Sequence, residues 1–411
     1  MLKFTRWKLV ASAAAFIVAA CGGGGSSAPP PTGGLTLDPG DGQVTVSWAA
    51  TSGVEYWLAY LAGTTVSLDY GAPHTWLLNV TSPRVVTGLV NGTTYAFSVN
   101  GRIDGGPGGP GTPSITTVPR PGGATWTAGT PATLGASALR GLAYGTASDT
   151  TIDYVAVGDN GVIFKGVDGI NWSAATTIPG VNFRAATYGL SKFIAAGSGG
   201  QIFYSTDLTT WTAANSGISN VINVNALASN GTVLVAVGDS GTIRYSTDGA
   251  TWIAAASVPT SNNLNAVTYA ASGLWIAAGA NGTLLTSADG STWTAKTSNT
   301  SANLNGITTQ LTSAVYTYVA IGDQGTVIKS TDASDWSSDT IDPTVDLTAV
   351  VVPSTNSQFL TVGAAGHVYT SPDGITWTSR NSGTSANFHG LISAQVQYVA
   401  VGDNGVNFNS H

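Results

Sequence analysis

The chain has 411 residues, of which 9% are charged, whereas an average soluble domain has about 25%. Its 21 acidic residues outnumber its 14 basic ones, so the formal net charge is −7 at pH 7. This composition excludes long charged helices and coiled coils, and it excludes the basic stripe that a nucleic-acid binder needs. The hydrophobic fraction of 43% and the 53 glycines predict a β-rich protein with many turns and about two domains.

Residues 1–21 have the pattern of a secretory signal. Three basic residues precede an apolar stretch at residues 9–18, which is shorter than the ~20 residues that a membrane-spanning helix needs. The stretch ends in Val-Ala-Ala-Cys, which resembles the lipobox of bacterial lipoproteins. In that family the matching cysteine, here Cys21, is lipidated and becomes the first mature residue. An ordinary cleavage site beside a lone thiol is the alternative.

The lipobox resemblance also implies a location. Gly22 follows the cysteine, whereas an aspartate there would favour the inner membrane in Gram-negative lipoproteins. We therefore expect an exported protein, anchored at the outer membrane through its lipid alone. Residues 22–34, rich in Gly, Ser and Pro, are predicted to form a flexible tether without regular structure.

Residues 35–119 show short alternating strands separated by turn residues. Residues 43–48 alternate strictly between apolar and polar, and residues 56–60 form a second predicted strand. The early Trp48 and the Leu-then-Tyr corner that contains Tyr95 resemble a fibronectin type III domain. The resemblance implies a β-sandwich in which the Tyr95 hydroxyl closes the corner by bonding to backbone. It also favours a spacer or docking role for this domain.

The sequence from residue 123 to residue 411 is internally repetitive. Strings such as Ser-Thr-Asp-Gly-Ala-Thr-Trp at residues 246–252 recur about every 40 residues, a period suited to a four-stranded blade. These strings resemble the Asp-box, or BNR repeat, of sialidase-like propellers. The longer unit at residues 236–252 is similar to photosystem II stability/assembly factor-like propellers. The predicted fold is therefore all-β, with a sandwich at residues 35–119 and a β-propeller at residues 123–411.

The two ends of the repeat complement each other. Trp126 lies about one period before Trp172 and has no blade in front of it, whereas the last unit stops before its tryptophan. We therefore expect the strand that carries Trp126 to complete the last unit. The result is a seven-bladed propeller closed by strands from both ends, which leaves no long sheet edge open.

Each Asp-box places an aspartate on the turn between the third and fourth strands of its unit. A short carboxylate there can accept backbone N–H bonds, and the tryptophan that follows fills the space between blades. A metal or catalytic array is the alternative, but aspartates placed one per blade cannot converge. The predicted structural aspartates are Asp168, Asp207, Asp248, Asp289, Asp332 and Asp373.

The first residue of each innermost strand is expected at the mouth of the propeller channel, where propellers commonly bind ligands. An arginine there can bind a carboxylate or phosphate group, and the amide side chains can hydrogen-bond to sugar hydroxyls or to backbone groups. The alternative is that the arginines pair with turn aspartates such as Asp159 on the same face. The candidate partner-binding residues are Arg140, Arg184, Asn225, Asn265, Asn305, Thr348 and His389.

The sequence predicts no catalytic residue, metal site or cofactor. A sialidase-type site would need a glutamate, and the propeller has none because Glu55 lies in the sandwich. Asp339, Asp342 and Asp346 are compatible with a calcium ion or with a solvated acidic loop. We expect a non-catalytic envelope protein that binds or scaffolds a protein partner and no nucleic acid. A glycan-binding or glycan-cleaving protein is the alternative.

Overall fold

A computed structural model gives the fold of most of the chain. The described residues are 25–40, 42–69, 71–149, 152–312, 314–353, 358–394 and 397–410. They consist of strands joined by turns, which confirms the all-β class. The chain divides into two compact units between Pro119 and Arg120. The predicted lipobox cysteine, Cys21, lies outside the described residues, and no described helix has the length and apolarity to span a membrane.

The first unit contains two antiparallel sheets. Its strands are β1 (Ser26–Ala28), β2 (Leu35–Gly40), β3 (Gln43–Trp48), β4 (Glu55–Ala62), β5 (Thr75–Val80), β6 (Arg84–Thr87), β7 (Tyr95–Ile103) and β8 (Ile115–Thr117). One sheet has the order β1-β7-β4-β5, with β8 also paired to β7, and the other has the order β2-β3-β6. Alternate residues of β3, ending at Trp48, are buried in a core shared with β4 and β7, as the alternation predicts. The Tyr95 hydroxyl accepts a 3.1 Å hydrogen bond from the backbone N–H of Val90.

The predicted flexible tether is partly a strand. In β1, Ser26 lies opposite Ile103 of β7 and Ala28 lies opposite Gly101. Ala28 is buried, and a Cβ at position 101 would lie 3.1 Å from the Ala28 Cβ, so the glycine permits this close pairing. The prediction of a structureless segment is therefore wrong for residues 26–28, because the edge of β7 offers backbone groups that an extended segment can satisfy.

The second unit forms seven four-stranded antiparallel sheets from its described residues. Strand β9 (Thr127–Thr133) precedes them in the chain. The first three sheets are β10 (Leu139–Thr146), β11 (Ile152–Gly158), β12 (Val162–Gly166) and β13 (Ser173–Thr177); β14 (Phe183–Gly189), β15 (Lys192–Gly197), β16 (Ile202–Ser205) and β17 (Thr212–Ala213); and β18 (Val224–Ser229), β19 (Leu234–Gly238), β20 (Ile243–Ser246) and β21 (Ile253–Ala254).

The remaining sheets repeat the same order. They are β22 (Leu264–Ala270), β23 (Leu274–Gly279), β24 (Leu284–Ser287) and β25 (Thr294–Lys296); β26 (Leu304–Thr312), β27 (Val315–Gly322), β28 (Thr326–Ser330) and β29 (Ser337–Thr340); β30 (Leu347–Val351), β31 (Phe359–Gly363), β32 (His367–Ser371) and β33 (Thr378–Asn381); and β34 (Phe388–Ala394), β35 (Gln397–Gly402) and β36 (Val406–Ser410) with β9.

The seventh sheet joins the two ends of this unit. β36 pairs antiparallel with β9, so that Phe408 lies opposite Ala128 and Asn409 opposite Thr127. The Asn409 side chain also donates a 3.2 Å hydrogen bond to the Thr127 carbonyl. Trp126 packs against the cluster that contains Phe388 and Phe408. The strand after Trp126 thus completes the last sheet, as the spacing of the tryptophans predicts.

The core of the second unit lies between neighbouring sheets. The first strands of successive sheets pack side by side, and β34 packs against both β30 and β10. One core cluster joins Val235 and Val237 of the third sheet to Leu264 and Trp275 of the fourth. Trp293, the last residue of the Asp-box-like string at residues 287–293, is buried in the same cluster and fills the space between sheets.

Candidate functional site

One end of every sheet in the second unit carries the same short turn. A single turn of 3-10 helix joins the second strand to the third, and the φ of its middle residue is positive, between 51° and 64°. The seven turns are Asp159–Gly161, Ser198–Gly200, Asp239–Gly241, Ala280–Gly282, Asp323–Gly325, Ala364–Gly366 and Asp403–Gly405. The antiparallel register brings each turn beside the start of the first strand, as Leu139 pairs with Gly158.

The structure brings all seven predicted partner-binding residues together at this end. Each is the second residue of the first strand of its sheet, one position later than expected. A β-bulge interrupts the register at that position in every sheet, and bulges re-aim the side chain that they carry. The seven residues line one shallow cavity of about 210 Å³, from Arg140 round to His389. We call this surface the mouth.

Arg140 is bound to a carboxylate of its own sheet. Its Nε and Nη2 donate to the two carboxylate oxygens of Asp159, both at 2.8 Å. The hydrogen bond from Arg140 lowers the pKa of Asp159, and the same bond raises the pKa of Arg140. The alternative that the arginines pair with turn aspartates is therefore confirmed for Arg140. The edge of its guanidinium formed by Nε and Nη2 is already hydrogen-bonded.

His389 is held in the same way by the turn of the seventh sheet. Its Nε2 lies 2.6 Å from one carboxylate oxygen of Asp403, and the side-chain amide of Asn387 donates to the other oxygen at 2.8 Å. Burial opposes ionisation of Asp403, but these hydrogen bonds outweigh it and lower the pKa of that carboxyl. His389 is thus fixed in place by its partner.

Four of the other mouth residues tie neighbouring sheets together. Each donates a hydrogen bond of 2.8–3.1 Å to a backbone carbonyl in the first strand of the next sheet. The bonds run from Asn225 to Leu264, from Asn265 to Leu304, from Asn305 to Leu347 and from Thr348 to Phe388. All four side chains are half-buried, and each of them joins its sheet to the next.

Arg184 differs from the other six because its side chain is exposed. Its guanidinium donates one hydrogen bond, from Nη1 to the side-chain oxygen of Asn225 at 3.0 Å, and no carboxylate of the described residues pairs with it. The turn of its sheet begins with Ser198, where the first sheet has Asp159. Arg184 faces a cavity of about 510 Å³ that is lined mainly by polar side chains, including Asn182 and Asn263.

Two turn aspartates each bond to two asparagine side chains, a pairing that the sequence analysis missed. Asp239 accepts hydrogen bonds from the side-chain amides of Asn223 at 2.7 Å and Asn225 at 2.9 Å. Asp323 accepts the equivalent bonds in the fifth sheet. The available signal was that an Asn-x-Asn string and a Gly-Asp-x-Gly turn occur in the same unit. The mouth is therefore a network of paired charges and amides with one exposed cation.

The Asp-box aspartates lie at the opposite end of the third strands. Oδ1 of Asp289 accepts hydrogen bonds from the backbone N–H groups of Ser291 at 2.8 Å and Thr292 at 2.9 Å, and the Ser287 hydroxyl donates to it at 3.0 Å. These backbone bonds lower the pKa of Asp289 to about 2. The carboxylates of the five equivalent aspartates accept the same pair of backbone bonds. The six do not converge.

The carboxylates of the acidic loop after β29 also accept hydrogen bonds from nearby groups of the protein. Asp342 accepts hydrogen bonds from the backbone N–H and the hydroxyl of Thr344 at 3.0 and 2.6 Å. Asp346 accepts one from the backbone N–H of Gln324 at 2.9 Å. The described residues contain no group of three His, Cys, Asp or Glu side chains arranged to hold a metal ion.

Comparisons with known proteins agree with a propeller-like fold. Residues 205–362 match the family model described as the DUF6242 beta propeller domain. The chain contains a β-propeller domain. The comparison with curated proteins found no match.

Three solved structures share the fold. YCF48 bound to D1 peptide is 15% identical, with a TM-score of 0.55 over 67% of this chain and 92% of that one. YCF48 from Cyanidioschyzon merolae is 18% identical, with a TM-score of 0.52 over 68% and 96%. The WD40 beta propeller domain of Doa1 is 9% identical, with a TM-score of 0.55 over 67% and 93%. At these identities the likeness extends to the fold alone.

Proposed function

We propose that this chain is a non-catalytic lipoprotein of the cell envelope that binds an extended segment of a partner protein at the mouth of its propeller. In this proposal the seven sheets are the blades of a propeller closed by β9 and β36. The first unit is a fibronectin type III-like spacer, and a lipid on Cys21 anchors the protein, most simply at the outer membrane.

The exposed guanidinium of Arg184 carries the proposal. It is the one mouth side chain that is exposed, and it keeps most of its donors available beside a polar cavity of about 510 Å³. A guanidinium with free donors suits a carboxylate or a row of backbone carbonyls. The neighbouring amide of Asn182 adds a second polar group at the same edge. The solved structure of YCF48 bound to D1 peptide supports a peptide as the ligand class.

The non-catalytic part of the proposal rests on the bonding of the mouth carboxylates. General acid–base chemistry needs a titratable group that can reach a substrate and exchange its proton. Asp159 is held by Arg140, and Asp403 is held by His389, so both carboxylates have lowered pKa values and engaged oxygens. The one glutamate of the chain, Glu55, is in the first unit.

A pull-down from envelope extract tests the binding site. The full-length chain with Arg184→Ala should lose capture of the partner that the unchanged chain retains. Arg244→Ala is the matched control, because Arg244 is a half-buried propeller arginine whose Nη2 donates to the Gly217 carbonyl, outside the mouth. Equal capture by the Arg184→Ala chain and the unchanged chain would remove the mouth as the site.

Two further readouts test the rest of the proposal. Cys21→Ser should abolish incorporation of labelled fatty acid, and continued incorporation would show that the anchor lies elsewhere. Turnover of a glycan by the purified chain, lost in the Arg184→Ala variant, would overturn the non-catalytic assignment.

A further inference from the structure

Neighbouring sheets of the propeller are joined at three places by a parallel β-bridge. Beyond the tryptophan of one sheet, the chain crosses to the Asp-box of the next sheet and pairs with it. The bridges are Thr130 with Asn171, Asn215 with Thr251 and Ser257 with Thr292. In each bridge the backbone N–H of the Asp-box tryptophan donates to the carbonyl of the crossing residue, at 2.8–3.1 Å. The last three residues of an Asp-box therefore present backbone groups that can pair with an extended segment.

Among the described residues, no such bridge joins the fifth sheet to the sixth, and none joins the first to the second or the fourth to the fifth. β29 pairs with β28 along its whole length, from Ser337 opposite Lys329 to Thr340 opposite Thr326, so the chain stays with its own sheet. The Asp-box of the sixth sheet spans residues 371–377. No described residue donates to the Ile375 carbonyl or accepts from the Trp377 N–H, the groups equivalent to those that pair at the three bridged junctions.

A groove occupies the place of the missing bridge. Two adjoining cavities of about 560 and 330 Å³ run between β29 and residues 374–377, and both are lined by Val327, Asp339 and Ile375. The side chain of Ile375 is 58% exposed. We call this the 5/6 groove. It combines an apolar wall with an unpaired backbone edge, which is the arrangement that binds a peptide by strand addition.

The charge of the 5/6 groove favours one kind of partner. Asp335 and Asp339 line it with exposed side chains. Lys329 also lines the groove, where its ammonium donates a hydrogen bond to the backbone carbonyl of Asp373 at 2.8 Å, so the two carboxylates outnumber this cation. The two carboxylates therefore attract a basic side chain on the occupant, and the exposed Ile375 offers contact to an apolar one.

We propose that the 5/6 groove binds an extended segment of a partner protein that carries a basic residue close to an apolar residue. The segment pairs in parallel with residues 375–377. One N–H of the segment donates to the Ile375 carbonyl, and the Trp377 N–H donates to a carbonyl of the segment. The partner thus takes the place that Asn215 and Ser257 take at two closed junctions. This surface lies at the Asp-box end of the blades and is separate from the mouth.

A defined peptide probe tests the groove. Phage-displayed peptides of about seven residues, a typical strand with a short margin, are selected on the full-length chain, and the selected peptide is synthesised. We expect selected sequences to pair Lys or Arg with an apolar residue. Ile375→Asp and Asp339→Lys should each weaken binding of that peptide by about tenfold or more. Both positions are exposed, so neither change should disturb folding.

Three controls decide the outcome. Ile253→Asp, at an isoleucine that is 53% exposed on the third sheet, should leave peptide binding within about twofold of the unchanged chain. Arg184→Ala should also leave it unchanged, which separates the groove from the mouth. N-methylation of a single peptide amide should weaken binding, and hydrogen exchange of the Trp377 amide should slow when the peptide binds. Failure to select any peptide, or binding that is insensitive to Ile375→Asp, would overturn the proposal.

Discussion

The second unit uses aspartate in opposite ways at the two ends of its sheets. At the Asp-box end, the carboxylate of Asp289 bonds to backbone groups two and three residues further along the same turn. At the mouth, Asp159 bonds to Arg140, 19 residues away, and Asp403 bonds to His389, 14 residues away. One carboxylate builds its own turn, whereas the other fixes a side chain on a neighbouring strand. The first role is repeated in six sheets, but the second changes with the residue that the first strand presents.

The two turns also differ in how strictly they require glycine. Gly241 closes the 3-10 turn with a φ of 68°, and a Cβ there would lie 2.2 Å from the carbonyl oxygen of Thr260. Gly249 of the Asp-box has a φ of 73°, but a Cβ there would meet the end of the Ile194 side chain at 3.2 Å. At the equivalent Asp-box position, Leu208 and Ala333 already adopt positive φ. The mouth turn therefore requires glycine, and the Asp-box turn tolerates another residue.

The largest effect that this comparison predicts is for Gly241→Ala. Left-handed backbone costs an L-residue about 1–2 kcal/mol, and displacement of the Thr260 backbone adds to it, so we expect a loss of about 3 kcal/mol. Gly249→Ala should cost about 1 kcal/mol, because a side chain can move aside. Urea unfolding followed by tryptophan fluorescence measures both. Equal losses of unfolding free energy would mean that both turns require glycine to the same degree.

A smaller effect is expected for Arg140→Ala. The change leaves the half-buried Asp159 carboxylate without its cation, which should cost about 1–2 kcal/mol of unfolding free energy. Arg184→Ala, at the same position of the next sheet but with no carboxylate partner, should cost less than about 0.5 kcal/mol. A double-mutant cycle of Arg140→Ala with Asp159→Asn should give a coupling of about 1 kcal/mol. A coupling near zero would show that the ion pair contributes nothing.

The smallest effect is expected for Asp289→Asn, and it depends on pH. The folded pKa of Asp289, about 2, lies below the ~3.9 of an unfolded aspartate. The stabilisation is therefore complete above pH ~4 and is lost as pH falls towards 2. Asn keeps an acceptor without the charge, so the variant should lose up to about 1 kcal/mol at neutral pH, a difference screened by solvent.

Thermal melts between pH 7 and pH 2 measure this difference. The curves of the unchanged chain and the Asp289→Asn variant should converge towards pH 2. The effect should also add to that of Arg140→Ala, because the two carboxylates share no partner. A constant difference down to pH 2 would contradict the role assigned to the charge.

The sequence by itself determined the repeat, the strand that completes the last sheet and the Asp-box turns. These depend on contacts within a few residues or on a fixed spacing, as with Asp289 and its own turn or Trp126 one period before Trp172. It also placed all seven mouth residues on one surface, because a repeat puts equivalent positions at equivalent places.

Only the tertiary structure decided what those residues do. Arg140 and Arg184 occupy equivalent positions, yet one is bound to Asp159 and the other is exposed, since the turns opposite them carry different residues. Residues 26–28 of the predicted tether form a strand because they pair with the edge of β7. Whether a blade junction is bridged or open depends on where the outer strand leaves its sheet, as at β29. These outcomes depend on partners that are distant in sequence, and a local sequence pattern does not identify such partners.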